Sequence, residues 1–167
     1  NSKQLFFLLN KPYYLTFLKF SAPVLSQEDL GQLLAHAWIL EECPNQDRNV
    51  SKRELLALFY SVPPELLMDE EEYAVYQSLE DPVTVYRGVT PYNAKNIKAL
   101  SWTLDRDTAE WFAHRFGEEG TVYEAQISKE HILAFFNGRN ESEVVVDPKY
   151  LEQIMESPKP EMEMQMT

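Results

Sequence analysis

The chain has 167 residues, of which 44% are hydrophobic, so it is long enough and apolar enough to bury the core of one domain. Its 27 acidic and 15 basic residues give a net charge of −12. This charge argues against a general nucleic-acid binder, because binding along a phosphate backbone requires neutralising Lys and Arg side chains. A local basic pocket or a basic protein partner remains compatible with it.

Cysteine usage and hydropathy point to a cytoplasmic protein without metal. Cys43 is the only cysteine, so no internal disulfide can form, and no Cys/His cluster has zinc-site spacing. A reducing compartment is therefore expected. The apolar stretch 5–9 is followed by Asn10, Lys11 and Pro12, so it is too short to span a membrane and lacks the cleavage site of a signal peptide. We expect it to form a buried strand.

The first helix of the N-terminal part is predicted after Ser26, with Asp29 three residues later, and it should stop before Pro44. Its apolar residues recur at helical spacing and define one face: Leu30, Leu33, Leu34, Ala37 and Trp38. Residues 45–47 continue as a loop.

Two further helices are predicted before residue 80. Ser51 and Glu54 form a capping box at the start of one, which the Pro63-Pro64 pair ends. Residues 65–79 form the other, and the acidic run 69–72 within it is interpreted as a solvated helix face.

The pattern changes to short β-branched and aromatic runs after Pro82. Asp105 is expected to cap one intervening helix, with Gly117 as its left-handed stop. Strands are predicted at 83–86, 99–104, 121–127, 132–136 and 143–146. Helices followed by consecutive strands indicate an α+β fold. We therefore expect a mainly helical part, 1–80, in the same domain as a β-rich catalytic core, 81–156, followed by a flexible tail, 157–167.

Nucleotide-binding loops and a histidine-based site are not indicated. The five glycines form neither G-x-G-x-x-G nor a P-loop. His36, His114 and His131 occur in unrelated contexts, and Cys43 has no nucleophile motif around it, so structural roles are favoured for all four.

Polar residues interrupt the strands at three places. Arg87 follows Val83 and Val85 at the spacing where another core residue is expected, and a buried guanidinium requires a partner such as phosphate. Ser101 and Thr103 share one strand face, and such a polar pair requires a ligand or water.

Two acids lie at the start of the last predicted strand, Glu143 as its first residue and Glu141 two residues earlier. If that strand begins at Glu141, the carboxylates of Glu141 and Glu143 point to the same side. Their repulsion would raise one pKa unless a cation or a hydroxyl donor lay between them.

Three motifs in this order, Tyr86-Arg87-Gly88, Ser101-Trp102-Thr103 and Glu141-Ser142-Glu143, resemble the Arg-Ser-Glu branch of the ADP-ribosyltransferases over about residues 83–148. Trp102 stands where that family usually has threonine. The resemblance implies a split, two-sheet α+β core preceded by helices. It also implies a cleft that binds NAD as co-substrate, without metal.

The resemblance also assigns roles to individual residues. The implied NAD-binding residues are Arg87, Gly88, Ser101 and Thr103, with Arg87 on a phosphate. Ser101 supports the nicotinamide ribose and orders Glu143, and Glu143 holds a ribose hydroxyl and stabilises the cationic transition state. Glu141 prepares an arginine acceptor. Phe136 and Arg139, in or beside the turn-rich segment before Glu141, are implied to recognise the target protein.

The chemistry of NAD is compatible with such a site. Nicotinamide is a cationic leaving group, so positioning and a nearby negative charge matter more than a strong acid. The sequence thus predicts a mono-ADP-ribosyltransferase that modifies a protein side chain, with arginine expected and NAD hydrolysis as a side activity. A toxin delivered into another cell, a phage effector and a host regulator all fit this prediction. The alternative is a non-catalytic acidic protein that uses the same fold to bind a basic partner surface.

Overall fold

A computed structural model describes residues 13–40, 49–93 and 96–158. The strand predicted at 5–9, Cys43, the 45–47 loop and most of the predicted tail lie outside the described residues. The chain divides into two compact units. One comprises Asn1–Ser78 with Leu133–Gly138, and the other comprises Leu79–Ile132 with Arg139–Thr167. No helix in the described ranges is long and apolar enough to cross a membrane.

The first unit is built mainly from helices, as the apolar periodicity predicts. They are α1 (Tyr14–Ser21), α2 (Gln27–Leu40), α3 (Lys52–Tyr60) and α4 (Glu70–Ser78). The predicted apolar face of α2 is confirmed, since all five of its residues are buried. The Trp38 ring packs edge-on against that of Phe59 on α3, with centroids 5.3 Å apart. Helix α1 was not predicted.

Short polar side chains set the helix starts. The Ser26 hydroxyl accepts the N–H of Asp29, and the predicted capping box of Ser51 and Glu54 is present with both reciprocal bonds. The helix predicted over 65–79 is shorter than expected. Residues Pro64–Leu66 form a 3-10 turn, and α4 begins at Glu70, because Asp69 and Glu72 form a second reciprocal pair of capping bonds.

Replacing Ser51 tests this local stabilisation. We expect Ser51→Ala to lower the free energy of unfolding by about 1 kcal/mol, because the N–H of Glu54 loses its acceptor. Urea denaturation measures the change. Ser128→Ala is the control, since Ser128 precedes a 3-10 turn without a capping side-chain bond. Equal effects of the two substitutions would contradict the capping assignment.

The strands form one six-stranded antiparallel sheet in the order β4-β5-β2-β1-β3-β6. Their bounds are β1 (Val83–Val89), β2 (Ser101–Thr103), β3 (Thr121–Ile127), β4 (Ile132–Phe136), β5 (Glu143–Val146) and β6 (Glu152–Glu156). The mixed α+β class and the presence of the five predicted strands are confirmed, although β1 continues to Val89 and β2 is shorter than the predicted 99–104. The sixth, β6, was missed because its residues are mostly exposed and do not alternate.

The ladder between β1 and β2 is short. These strands share one residue pair, Tyr86 with Thr103, in the described part of the chain, whereas β1 pairs with β3 along its whole length. The expectation of two separate sheets therefore differs from the observed single sheet. Because β2 has three residues, it cannot form a long ladder with β1.

Helix α5 (Arg106–His114) packs against β1 in the second unit. Its predicted cap is confirmed, because the Asp105 carboxylate accepts the N–H groups of Asp107 and Thr108. Gly88 faces the helix closely: a Cβ at this position would lie 1.9 Å from the carbonyl oxygen of Ala109. The helix ends at His114, three residues before Gly117, which adopts the predicted left-handed conformation with φ 73°.

Candidate active site

A serine and a carboxylate form the centre of the candidate site. Strands β2 and β5 are antiparallel, with Thr103 opposite Glu143 and Ser101 opposite Val145. Ser101 therefore lies diagonally across from Glu143 on the same face. The Ser101 hydroxyl donates a hydrogen bond to Oε2 of Glu143. This bond orients the carboxylate from a strand position whose main chain is fixed by the ladder.

Arg87 connects β1 to the same place. Val83, Val85 and Val89, which alternate with it along β1, are buried, so the prediction that Arg87 interrupts a core-facing row is confirmed. Its Nη1 donates to the main-chain oxygen of Ser101 at 2.8 Å, and its Nε donates to that of Asn96 at 3.2 Å. These carbonyl acceptors carry no net charge, so the two bonds orient the guanidinium without neutralising it.

The pKa of Arg87 depends on its burial and on two neighbouring charges. Burial lowers the pKa of the Arg87 guanidinium to about 10, the negative charge of Glu143 opposes this decrease, and the positive charge of Arg115 adds to it. The group is therefore still cationic at neutral pH. The same three influences show that Glu143 and Arg115 both lie close enough to Arg87 to interact electrostatically.

Arg115 was missed by the sequence analysis. It follows α5, and its guanidinium carbon lies 5.5 Å from the ring centroid of Phe112 and 5.3 Å from that of Phe116. Phe116 has a left-handed backbone, φ 60°, and its side chain is 88% exposed. The sequence signal that could have identified Arg115 is its position between two nearby phenylalanines just after a helix, a pattern typical of cation–π contacts. The two arginines give this acidic protein a local positive site.

Thr103 has a different environment from the one implied by the resemblance. It is 6% exposed, and its hydroxyl donates to the main-chain oxygen of Glu141 at 2.7 Å while accepting the N–H of Asp105 at 3.0 Å. A hydroxyl has one proton to donate. Because that proton is used within the protein, the expected donation by Thr103 to NAD is not supported by this geometry.

Glu141 lies outside the strand. Strand β5 begins at Glu143, and the intervening Ser142 has a left-handed backbone with φ 44°. The strand alternation that would place Glu141 and Glu143 on one face therefore does not apply. Glu141 is instead held through its own main-chain carbonyl.

The structure also locates the three other predicted site residues, Phe136, Arg139 and Gly88. Phe136 is 3% exposed, so its ring is not presented to a target in this structure, which corrects the expected aromatic contact. Arg139 is exposed in the turn before Glu141, as target recognition requires. The absence of a side chain at Gly88 is explained by the contact with α5 described above.

Trp102 does not occupy the face of the serine–carboxylate pair. It alternates with Ser101 and Thr103, is 2% exposed, and donates its indole N–H to the main-chain oxygen of Ala99 at 3.0 Å. Its ring therefore fills the opposite, buried side of β2.

All three histidines have local contacts, and the His36 ring centroid lies 6.2 Å from that of Tyr14. His114 bonds through Nε2 to Glu110 and through Nδ1 to the main chain of Glu118. The His131 ring stacks on that of Tyr150 at 3.5 Å. Over residues 13–40, 49–93 and 96–158, no group of three or more His, Cys, Asp or Glu residues has metal-binding geometry.

Comparisons of the chain with protein-family models, with curated proteins and with solved structures found no match.

Proposed function

We propose that this protein is a mono-ADP-ribosyltransferase that cleaves NAD and transfers ADP-ribose to a protein side chain, with arginine as the preferred acceptor. The observation that carries the proposal is the hydrogen bond from Ser101 to Glu143, next to the partly buried cation of Arg87. A carboxylate fixed by a neighbouring hydroxyl suits the stabilisation of positive charge that develops when a cationic leaving group departs.

Arg87 and Arg115 are suited to bind the diphosphate of NAD. Its diphosphate carries two negative charges, and Arg87 and Arg115 supply two positive charges that interact with each other. Arg87 has five N–H donors, of which two are bonded to the main-chain oxygens of Asn96 and Ser101. Phosphate binding would relieve the repulsion between the two guanidinium groups.

The division of tasks follows from these positions. Arg87 and Arg115 hold the diphosphate, and Ser101 keeps the Glu143 carboxylate oriented. Glu143 supplies the negative charge beside the ribose carbon as nicotinamide leaves. Glu141 pairs with the acceptor guanidinium, and Arg139 contacts the target protein from the exposed turn. NAD supplies the activated glycosidic bond, so no strong acid is required from the protein.

The first experiment measures NAD binding and nicotinamide release by the purified protein, using agmatine, a small guanidinium compound, as acceptor. We expect calorimetric binding of NAD, release of nicotinamide and formation of ADP-ribosyl-agmatine. Ser101→Ala should reduce nicotinamide release by roughly tenfold to a hundredfold, because Glu143 loses the hydroxyl that orients it. Ser128→Ala in the same unit is the control and should leave the rate unchanged.

The opposite results are equally specific. If the protein neither binds NAD nor releases nicotinamide above the buffer rate, the transferase proposal fails. A salt-sensitive complex with a basic protein that survived simultaneous replacement of Arg87, Ser101 and Glu143 would then support the alternative of a non-catalytic binding protein.

A further inference from the structure

Two hydroxyl groups on β2 are bonded to two different parts of the acidic motif. The Ser101 hydroxyl donates to the carboxylate of Glu143, whereas the Thr103 hydroxyl donates to the main chain of Glu141. The first bond orients a side chain. The second orients the backbone that carries the other acid.

The segment around Glu141 needs such a constraint. Asn140 and Ser142, its two neighbours, both have left-handed backbones, with φ 58° and 44°. Left-handed geometry at a residue other than glycine is unfavourable and persists only where surrounding contacts enforce it. Two contacts tie this segment to β2 and to the residue after it: the Thr103 bond, and the bond from the N–H of Leu104 to the Ser142 oxygen at 3.0 Å.

The other partner of Thr103 adds rigidity. Its oxygen accepts the N–H of Asp105, and Asp105 caps the first turn of α5. A single buried hydroxyl therefore joins the start of that helix to the backbone of Glu141. Removing it would leave one donor and one acceptor unpaired in a partly buried place.

From these contacts we infer that Thr103 is a positioning residue that holds Glu141 for transfer to the acceptor and does not itself bind NAD. The inference rests on the proposed function. Cleavage of NAD depends on Ser101 and Glu143, and transfer to arginine depends additionally on Thr103 and Glu141. The two steps are thus supported by separate hydroxyls on one three-residue strand.

The bonds that break and form in transfer and in hydrolysis determine which products are measured. The bond between the ribose C1′ carbon and the nicotinamide nitrogen breaks, and nicotinamide leaves neutral with the bonding electron pair. A new C1′ bond forms to a guanidinium nitrogen, whose proton passes to the Glu141 carboxylate and then to water. In hydrolysis, water takes the place of the guanidinium nitrogen. The ratio of transfer to hydrolysis therefore reports on the acceptor step alone.

The test compares Thr103→Val, Thr103→Ser and Thr84→Val in the full chain with NAD and agmatine. Valine keeps the shape of threonine but removes its hydroxyl. We expect Thr103→Val to lower the ratio of ADP-ribosyl-agmatine to free ADP-ribose by roughly fivefold to tenfold, the effect of losing one hydrogen bond on a rate. Thr103→Ser restores the hydroxyl and should restore the ratio.

Thr84→Val is the matched control. The Thr84 hydroxyl bonds the side chain of Gln126 across β1 and β3, so its loss also removes a strand hydroxyl but does not touch Glu141. This variant should keep the wild-type ratio. Nicotinamide release by Thr103→Val shows that the variant is folded and cleaves NAD.

The outcomes separate the two proposals. A wild-type protein that cleaves NAD, together with an unchanged ratio in Thr103→Val, overturns the positioning role and leaves the proposed function intact. A proportional loss of both products in Thr103→Val that Thr103→Ser does not restore also overturns it. A wild-type protein that releases no nicotinamide overturns both.

Discussion

Glu143→Gln is expected to reduce nicotinamide release by about a hundredfold to a thousandfold, the usual effect of removing one preorganised charge or dipole from an active site. Glutamine keeps the length of the side chain and an oxygen that can accept the Ser101 hydroxyl. It removes the negative charge. The loss would therefore report on electrostatics and not on the position of the side chain.

The measurement is the initial rate of nicotinamide release at saturating NAD, with Tm recorded on the same samples. Glu124→Gln is the matched control, because Glu124 is also a carboxylate on a strand of the same unit, paired with Tyr86 across β1 and β3. It should retain the wild-type rate. Undiminished release in Glu143→Gln would remove Glu143 from the mechanism.

Glu143→Gln should also lower the pKa of Arg87. The negative charge of Glu143 raises the pKa of Arg87 and partly offsets the effect of burial. Without it the pKa of Arg87 falls below its present value of about 10. The guanidinium still remains charged at neutral pH, so NAD affinity should change much less than the rate. A separate calorimetric titration distinguishes these two effects.

Gly88→Ala is expected to be the most destabilising single-methyl substitution among the sites described above. The added Cβ would lie 1.9 Å from the Ala109 oxygen and 2.7 Å from the Ala113 nitrogen, both main-chain atoms of α5. Neither can move without displacing the helix from β1. The expected cost is about 3 kcal/mol or more, because such overpacking forces backbone shifts.

Thermal unfolding measures this cost. For a chain of this size, ~3 kcal/mol corresponds to a decrease in Tm of roughly 6–12 °C. Gly138→Ala is the control, since a Cβ there meets nothing within 4 Å, and its Tm should match the wild type. If Gly88→Ala kept the wild-type Tm but lost NAD binding, Gly88 would be a ligand-binding residue as the resemblance implies, and the packing explanation would be wrong.

Local sequence patterns predicted well those strands that are apolar runs between polar residues and those helices that begin at a capping residue. The bounds of β3, β4 and β5 follow from β-branched or aromatic runs between polar residues, and the starts of α3 and α5 follow from Ser51 and Asp105. Strand β6 has neither pattern. It pairs with β3, an interaction that no local propensity encodes.

Local sequence patterns also identified only part of the candidate site. Arg87, Ser101 and Glu143 could be singled out because each interrupts or ends a predicted strand. Arg115 was missed because its electrostatic interaction with Arg87 depends on the tertiary structure, although the aromatic residues beside it are visible in the sequence. The strand was correctly predicted to begin at Glu143, so the conditional placement of Glu141 on the face of Glu143 does not apply, and the left-handed backbone of Ser142 between them is not encoded by local propensity.

The short ladder between β1 and β2 has a practical consequence for genetics. Arg87 bonds across this ladder to the Ser101 oxygen, where the strands share one described residue pair. An allele that replaces Arg87 therefore removes a proposed phosphate-binding group and a hydrogen bond between β1 and β2 together. Its phenotype would mix loss of activity with loss of protein abundance. A null allele intended to report activity alone should carry the change at Glu143.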